Sequence, residues 1–93
     1  MIKYVVEMFG LPHQITELRE VELKLKDGAN LGDLIVALRC AIPALEGRVI
    51  RAGEDRLTEY YAFSINGQFN FNDQDVQLKD GDSVMLLTLA TGG

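Results

Sequence analysis

Few residues of this 93-residue chain have side chains that usually perform chemistry. His13 is the single histidine and Cys40 the single cysteine, so the chain lacks the thiolate sets that zinc and iron–sulfur centres need. No Ser/His/Asp, Cys/His or paired-carboxylate arrangement is evident, and we expect no catalysis by the chain alone. Next to Pro12 in a predicted turn, His13 should be exposed to solvent, whereas Cys40 should be a buried or half-buried structural thiol.

The composition narrows the possible functions further. Hydrophobic residues make up 47% and charged residues 25%, as in ordinary globular domains, and the net charge of −5 disfavours binding to nucleic acid. The sequence has neither a secretory signal nor eighteen consecutive apolar residues, so we expect a cytoplasmic protein that does not cross a membrane. Four aspartates lack the glycine and the distal glutamate of a calcium loop, and we interpret them as turn formers rather than metal ligands: Asp73, Asp75, Asp80 and Asp82.

The most unusual feature is the end of the chain, Ala90-Thr91-Gly92-Gly93. Two glycines do not extend a strand usefully, so we expect a folded domain over residues 1–89 and a flexible arm over residues 90–93. The arm would end in a free carboxylate, which has a pKa near about 3.3–3.7 and is a poor electrophile until it is activated. Because glycine has no β-carbon, Gly92 and Gly93 could pass through a narrow channel.

The periodicity of the sequence predicts the elements that position this arm. Residues 2–9 and 21–26 have strand patterns and should pair as a hairpin across a break at residues 10–13. Asn30 should cap a helix that ends before Pro43, with one apolar stripe formed by Leu31, Leu34, Ile35, Leu38 and Ile42. Asn66-Gly67 predicts a tight turn between strands at residues 59–65 and 68–69. These elements indicate an α+β fold, with a mixed sheet of four or five strands and one main helix on one face.

The last predicted strand, residues 84–89, is apolar on both faces and therefore belongs in the middle of the sheet. If Val84 and Leu86 face the helix, then Met85, Leu87 and Leu89 face the other way and could form a patch for a partner protein. The alternative is a second small core, covered by the weakly patterned residues 48–57. Four aromatic residues are interpreted as core residues: Tyr60, Phe63, Phe69 and Phe71.

The order of these features resembles that of the ubiquitin-like β-grasp sulfur carriers (MoaD/ThiS-like), such as the small subunit of molybdopterin synthase and the thiazole carrier. The resemblance covers nearly the whole chain. It rests on the first strand, the terminal Gly-Gly and three internal segments: Leu31-Gly32-Asp33-Leu34, Ser64-Ile65-Asn66-Gly67-Gln68 and Leu78-Lys79-Asp80-Gly81-Asp82-Ser83-Val84. Thr88-Leu89-Ala90-Thr91 stands where many molybdopterin-type carriers have prolines, and residues 48–57 lengthen the chain relative to thiazole-type carriers. The pathway therefore stays open.

The resemblance implies that an E1-like enzyme uses ATP to adenylate the Gly93 carboxylate, and that a persulfide or equivalent donor then replaces AMP to give a thiocarboxylate. Thr91 and Gly92 would thread the active site of the partner, while Met85, Leu87 and Leu89 would dock on its surface. The carrier itself would hold no cofactor. Its sulfur would pass to an acceptor such as the large subunit of molybdopterin synthase or a thiazole synthase. Two rivals are a ubiquitin-like modifier joined to target lysines through Gly93 and a non-covalent β-grasp interaction module.

Overall fold

The computed structural model describes residues 1–70 and 74–89, with the backbone alone for Leu11 and His13. Within these residues, strands and helices alternate in the first half of the chain, and the remaining strands follow in the second half. The elements are β1 (Ile2–Met8), α1 (Leu11–Thr16), β2 (Glu20–Leu25), α2 (Leu31–Ala41), a 3-10 helix (Pro43–Leu45), β3 (Tyr61–Ile65), β4 (Gln68–Asn70) and β5 (Val84–Thr88).

The five strands form one mixed sheet in the order β2-β1-β5-β3-β4. β5 lies parallel to β1 and antiparallel to β3, so the strand that is apolar on both faces is central, as predicted. At the turn between β3 and β4, φ is 53° at Asn66 and 85° at Gly67, the two positive values that a type I′ turn requires. The predicted α+β architecture, with the main helix on one face of a mixed sheet, is confirmed.

Helix α2 begins with the predicted cap. The Asn30 side chain accepts a hydrogen bond from the Asp33 N–H at 2.9 Å, and the Asp33 carboxylate accepts one from the Asn30 N–H at 3.0 Å, which together form a capping box. The helix is capped at its C-terminal end by Ile42, the residue before Pro43. The Ile42 N–H donates to the Leu38 carbonyl. Its buried residues, Leu31, Leu34, Ile35 and Leu38, pack on the sheet and form the centre of a single core.

The prediction of a simple break at residues 10–13 was wrong, because α1 occupies the connection between β1 and β2. Pro12 lies in the first turn of α1, where a missing N–H costs no helical hydrogen bond, and its carbonyl accepts from Thr16 Oγ1 at 2.8 Å. A helix of six residues is too short to produce a recognisable apolar period. The predicted antiparallel pairing of the two strands is nevertheless confirmed, from Ile2 opposite Leu25 to Glu7 opposite Glu20.

Residues 48–57 pack on the same side of the sheet as α2 rather than over the opposite face. Val49, Ile50 and Leu57 are buried in the main core, and Leu57 lines a small cavity together with Ile35 of α2 and Phe63 of β3. No second core forms beneath this segment among the described residues.

Arg39 of α2 fixes the segment in place. Its guanidinium group pairs with the carboxylates of Glu46 and Asp55 and donates to the carbonyl of Glu54.

The prediction for Cys40, the next residue, was wrong, because its side chain is exposed. At 100° per residue it lies about 200° around the helix from buried Leu38 and therefore faces solvent.

Candidate functional site

The two faces of β5 differ as predicted. Val84 is 1% exposed and Leu86 is fully buried beneath α2, whereas Met85, Leu87 and Leu89 are each half-buried on the opposite face. This face of the sheet is called the open face below, because α2 and residues 48–57 both lie on the other side. The sheet therefore presents three apolar side chains in a line that runs toward the chain end.

The neighbours of these three residues are set by strand register. Met85 lies opposite Glu7 of β1 and Ser64 of β3, and Leu87 lies opposite Ala62. Ser64 and Ala62 are themselves buried, and both are small. The larger side chains of β5 can therefore stand out from the open face.

Exposed aromatic residues surround this line. Phe69 of β4 lies opposite Ser64 and therefore on the open face, and it is 55% exposed. Tyr60 is also 55% exposed, and its carbonyl accepts from the Leu89 N–H at 2.7 Å. Phe9 is 51% exposed and extends β1 by one residue, because its N–H donates to the Leu86 carbonyl at 2.9 Å.

The interpretation of Tyr60 and Phe69 as core residues was therefore wrong, whereas that of Phe63, which is 2% exposed, is confirmed. Phe71 lies outside the described residues. The position of Phe69 could have been derived from the Asn66-Gly67 turn, since a two-residue hairpin pairs Ser64 with Phe69 and fixes its face. The alternation along residues 2–9 gave a similar signal for Phe9, because it puts Phe9 on the same side as Lys3 and Glu7.

β5 ends at Thr88. Thr88 lies opposite Tyr61, and the hydrogen bond from Leu89 to Tyr60 is the last ladder contact among the described residues. Thr91, Gly92 and Gly93, the residues predicted to carry the chemistry, lie outside the described residues. The predicted division into a domain over residues 1–89 and a flexible arm over residues 90–93 stays a prediction.

The groups with shifted pKa values lie away from the open face of β5. Burial raises the pKa of Tyr4, and the nearby carboxylates of Asp82, Asp80 and Asp27 raise it further. The Gly53 N–H, which donates to Glu46 Oε1 at 2.9 Å, lowers the pKa of Glu46, and Arg39 lowers it further. The shifted pKa values of Tyr4 and Glu46 therefore arise from burial and hydrogen bonding within the domain and do not mark the open face as a site.

The described residues contain neither a cluster of metal-ligating side chains nor a membrane-spanning helix. Across residues 1–70 and 74–89, no three side chains of His, Cys, Asp or Glu come together in a way that could hold a metal ion. In the same part of the chain, no helix has the length and apolar character needed to cross a membrane.

Comparison with known proteins identifies the family. The model of the ThiS family matches residues 6–93. The chain belongs to the ThiS family. The match covers all of the secondary-structure elements from α1 to β5 and extends to Gly92 and Gly93. No match was found among curated proteins.

Solved structures resemble this ThiS-family chain over nearly its full length. SAMP1 from Haloferax volcanii superposes with a TM-score of 0.83 at 25% identity, with 98% of this chain and 99% of that chain covered. A putative molybdopterin converting factor, subunit 1, from Pyrococcus furiosus gives 0.76 at 23% identity, with 97% and 100% covered. The Amycolatopsis orientalis BexX/CysO complex gives 0.72 at 19% identity, with 97% and 99% covered.

These similarities confirm the ubiquitin-like β-grasp fold for the ThiS-family chain. They also confirm the predicted resemblance to MoaD/ThiS-like sulfur carriers. The family consists of small ubiquitin-like carrier and modifier proteins rather than catalytic enzymes.

Proposed function

We propose that this chain is a sulfur carrier whose Gly93 carboxylate is adenylated by an E1-like enzyme and then converted to a thiocarboxylate. The observation that carries the proposal is the family match, which spans residues 6–93 and so includes the Gly92-Gly93 pair. The position of β5 supports it, because a central strand gives the arm after Leu89 a firmly held base.

The chemistry begins with activation, because an ionised carboxylate resists nucleophilic attack. An oxygen of the Gly93 carboxylate attacks the α-phosphorus of ATP in the active site of the partner, and pyrophosphate leaves. The terminal sulfur of a persulfide then attacks the acyl carbon, and AMP leaves. A thiol then attacks the donor's sulfur in the resulting acyl disulfide and forms a disulfide with it, and the thiocarboxylate on Gly93 is released. The chain supplies the carboxylate and the extended segment that carries it into the active site of the partner. It binds no cofactor itself, and the partner binds and uses the ATP.

Docking would rest on the open face. Met85, Leu87 and Leu89 form its centre, and the exposed rings of Phe69 and Tyr60 enlarge it. Tyrosine is enriched among the residues that contribute most of the binding energy of protein interfaces, and the contacts around such residues exclude water. Residues 88–93 span at most roughly 20 Å when extended. That length lets Thr91 and Gly92 thread the partner while the domain remains outside.

The partners we propose are the E1-like enzyme and an acceptor enzyme in the cytoplasm. Molybdopterin biosynthesis is the first pathway to test, with the large subunit of molybdopterin synthase as acceptor. The likeness to the Pyrococcus furiosus protein, which is described as a putative molybdopterin converting factor subunit, motivates this choice. Thiazole synthesis is the second pathway. The crystallised complex of CysO with BexX illustrates that a protein of this fold can associate with another protein.

A second candidate function is covalent modification of other proteins. SAMP1 from Haloferax volcanii, at 25% identity and a TM-score of 0.83, is named a small archaeal modifier protein. In this alternative the adenylated Gly93 forms an isopeptide bond with a target lysine, and AMP is the leaving group. Activation is common to both functions, whereas a non-covalent interaction module would need none.

Exchange of labelled pyrophosphate into ATP tests the activation step. A candidate E1-like enzyme is incubated with ATP, labelled pyrophosphate and either the intact chain or a variant that lacks Gly93. We expect exchange that depends on the intact chain and disappears with the deletion. If no candidate enzyme supports exchange, the carrier and modifier functions are both wrong and the non-covalent module is favoured.

A further inference from the structure

Strand β2 forms one edge of the sheet. Its side chains alternate, with Leu23 and Leu25 buried beneath α2 and with Glu20, Glu22 and Lys24 exposed on the open face. Lys26 directly follows the strand and is also exposed. The exposed charges along this edge are therefore two acidic residues followed by two basic residues.

Within the chain, β1 supplies no opposite charge directly across from the charged residues of β2. Glu20 lies directly opposite Glu7, and Lys24 lies directly opposite Lys3. Like charges that face each other across two strands destabilise a sheet. In the described part of the chain, both ion pairs belong to Arg39, so these four side chains form none there.

The backbone of β2 is also oriented for further pairing. The Met8 N–H donates to the Arg19 carbonyl at 2.8 Å, which makes Met8 and Arg19 a hydrogen-bonded pair of the antiparallel ladder. Such pairs alternate with pairs that are not hydrogen-bonded. The N–H and C=O groups of Glu20, Glu22 and Lys24 therefore point away from β1, toward the free edge.

We propose that two copies of this chain pair antiparallel through their β2 edges, about a two-fold axis at Leu23, and join their sheets into one. In this register Glu22 faces Lys24 of the second copy, and Glu20 faces Lys26 of the second copy. The backbone groups of Glu22 and Lys24 form hydrogen bonds across the axis. Glu20 and Lys24, which face like charges on β1, each gain an opposite charge from the second copy. The proposal does not depend on the proposed function.

Other registers are disfavoured by the same charges. Centring the pairing on Glu22 or on Lys24 places identical charges in contact at the axis. A shift by one residue brings charged side chains to the face that β2 buries. Charges on an edge strand commonly prevent self-association, but their order in this strand makes the edge complementary to itself.

An apolar groove runs beside the same edge. Met1, Leu25, Lys26 and Ala29 line it beside the sheet, and Asp33, Val36 and Ala37 line it from α2. Val36 is 40% exposed and Met1 is 88% exposed. A two-fold axis perpendicular to the sheet puts both α2 helices on one side, so the two grooves approach each other. β1 separates β2 from the apolar line on β5, which stays accessible in the pair.

Sedimentation of the full chain over a wide concentration range tests the proposal. We expect a reversible dimer that Lys24→Glu weakens by about a hundredfold, because the new carboxylate would then face Glu22 of the second copy. Lys3→Glu is the matched control, since it makes the same charge change within the Lys3–Lys24 pair but on β1, away from the edge. The double variant Glu22→Lys with Lys24→Glu reverses the pair and should restore the dimer.

Amide hydrogen exchange provides a second readout that needs no variant. The Glu22 and Lys24 amides should exchange more slowly as the protein concentration rises. A chain that stays monomeric at all concentrations overturns the proposal, as does a dimer that Lys24→Glu and Lys3→Glu weaken equally. Protection confined to another strand, or β2 protection only when a different protein is added, also overturns it.

Discussion

A β-carbon built on Gly10 would lie 3.0 Å from Oγ1 of Thr88, a contact too close for an ordinary side chain. Gly10 has a φ of 69° and connects β1 to α1, while Thr88 is the last residue of β5. The connection between the first strand and the first helix is thus packed against the last residue of β5. The absence of a side chain at residue 10 allows both segments to occupy the same corner of the domain.

Gly10→Ala should therefore lower the free energy of unfolding by about 1–3 kcal/mol, through left-handed backbone strain and displacement of Thr88. Gly28→Ala is the matched control, because Gly28 has a φ of 80° and a β-carbon added there would meet nothing within 4 Å. Urea denaturation measures both losses: Gly28→Ala reports the backbone strain alone, and the additional loss in Gly10→Ala reports the contact with Thr88. Equal losses in the two variants would show that the Thr88 contact contributes nothing.

Tyr4→Phe should leave the free energy of unfolding unchanged or raise it by up to about 1 kcal/mol, because a buried hydroxyl without a partner is costly. The Tyr4 hydroxyl has no hydrogen-bond partner in the described residues. The Tyr4 pKa is raised by burial, so the unfolded state releases this proton first and stability falls as pH rises above about 10.

The Tyr4→Phe variant should accordingly lose less stability than the wild type in that alkaline range. Tyr60→Phe, at an exposed position, should retain the wild-type pH dependence. Denaturation at pH 8 and above pH 10 provides the comparison. A large loss of stability in Tyr4→Phe at pH 8 would contradict the prediction, since it would reveal a partner for the hydroxyl.

Glu46→Gln should lower the melting temperature at pH 7 and make less difference at pH 3. The Gly53 N–H and Arg39 hold the Glu46 pKa below its ordinary value. Stability from this carboxylate is therefore present above the unfolded pKa of about 4.3 and is lost as pH falls through the lower, folded value. Glu54→Gln, in the same segment, is the control. A difference that persists unchanged at pH 3 would assign the effect to packing instead of charge.

Leu87→Asp should weaken binding to the activating enzyme by about tenfold or more, because it places a charge at the centre of the open face. Leu87 is half-buried, so we expect the domain to remain folded, as circular dichroism can verify. Val36→Asp, at an exposed site on α2, should bind normally. Unchanged affinity would remove the open face from docking, and a collapse of the fold would place Leu87 in the core.

The sequence predicted the elements whose signals are local or strongly periodic. The Asn30 cap, the apolar stripe of α2 and the Asn66-Gly67 turn each depend on residues within a few positions of one another. The central place of β5 followed from apolar residues on both of its faces. In each case the local backbone preference and the burial of the apolar side chains favoured the same element.

Features that depend on distant parts of the chain were not predictable in the same way. Helix α1 has too few residues for a period, and its place is set by packing against β5. Residues 48–57 cover the α2 side of the sheet through contacts between distant parts of the chain: Leu57 packs near Ile35, and Arg39 binds Glu46 and Asp55 at separations of 7 and 16 residues. Phe9 and Tyr60 are exposed because no other part of the described chain covers their face of the sheet, which alternation along a strand does not reveal.

The mass of the intact protein tests the central claim most directly. The chain is expressed together with its E1-like enzyme and a persulfide donor, then purified and compared with a variant that lacks Gly93. We predict a species heavier by the difference between sulfur and oxygen, located at Gly93 by fragmentation and absent from the variant. An unmodified Gly93, under conditions in which the same enzyme adenylates the chain, would contradict the sulfur-carrier function. Gly93 linked to target lysines instead would establish the modifier.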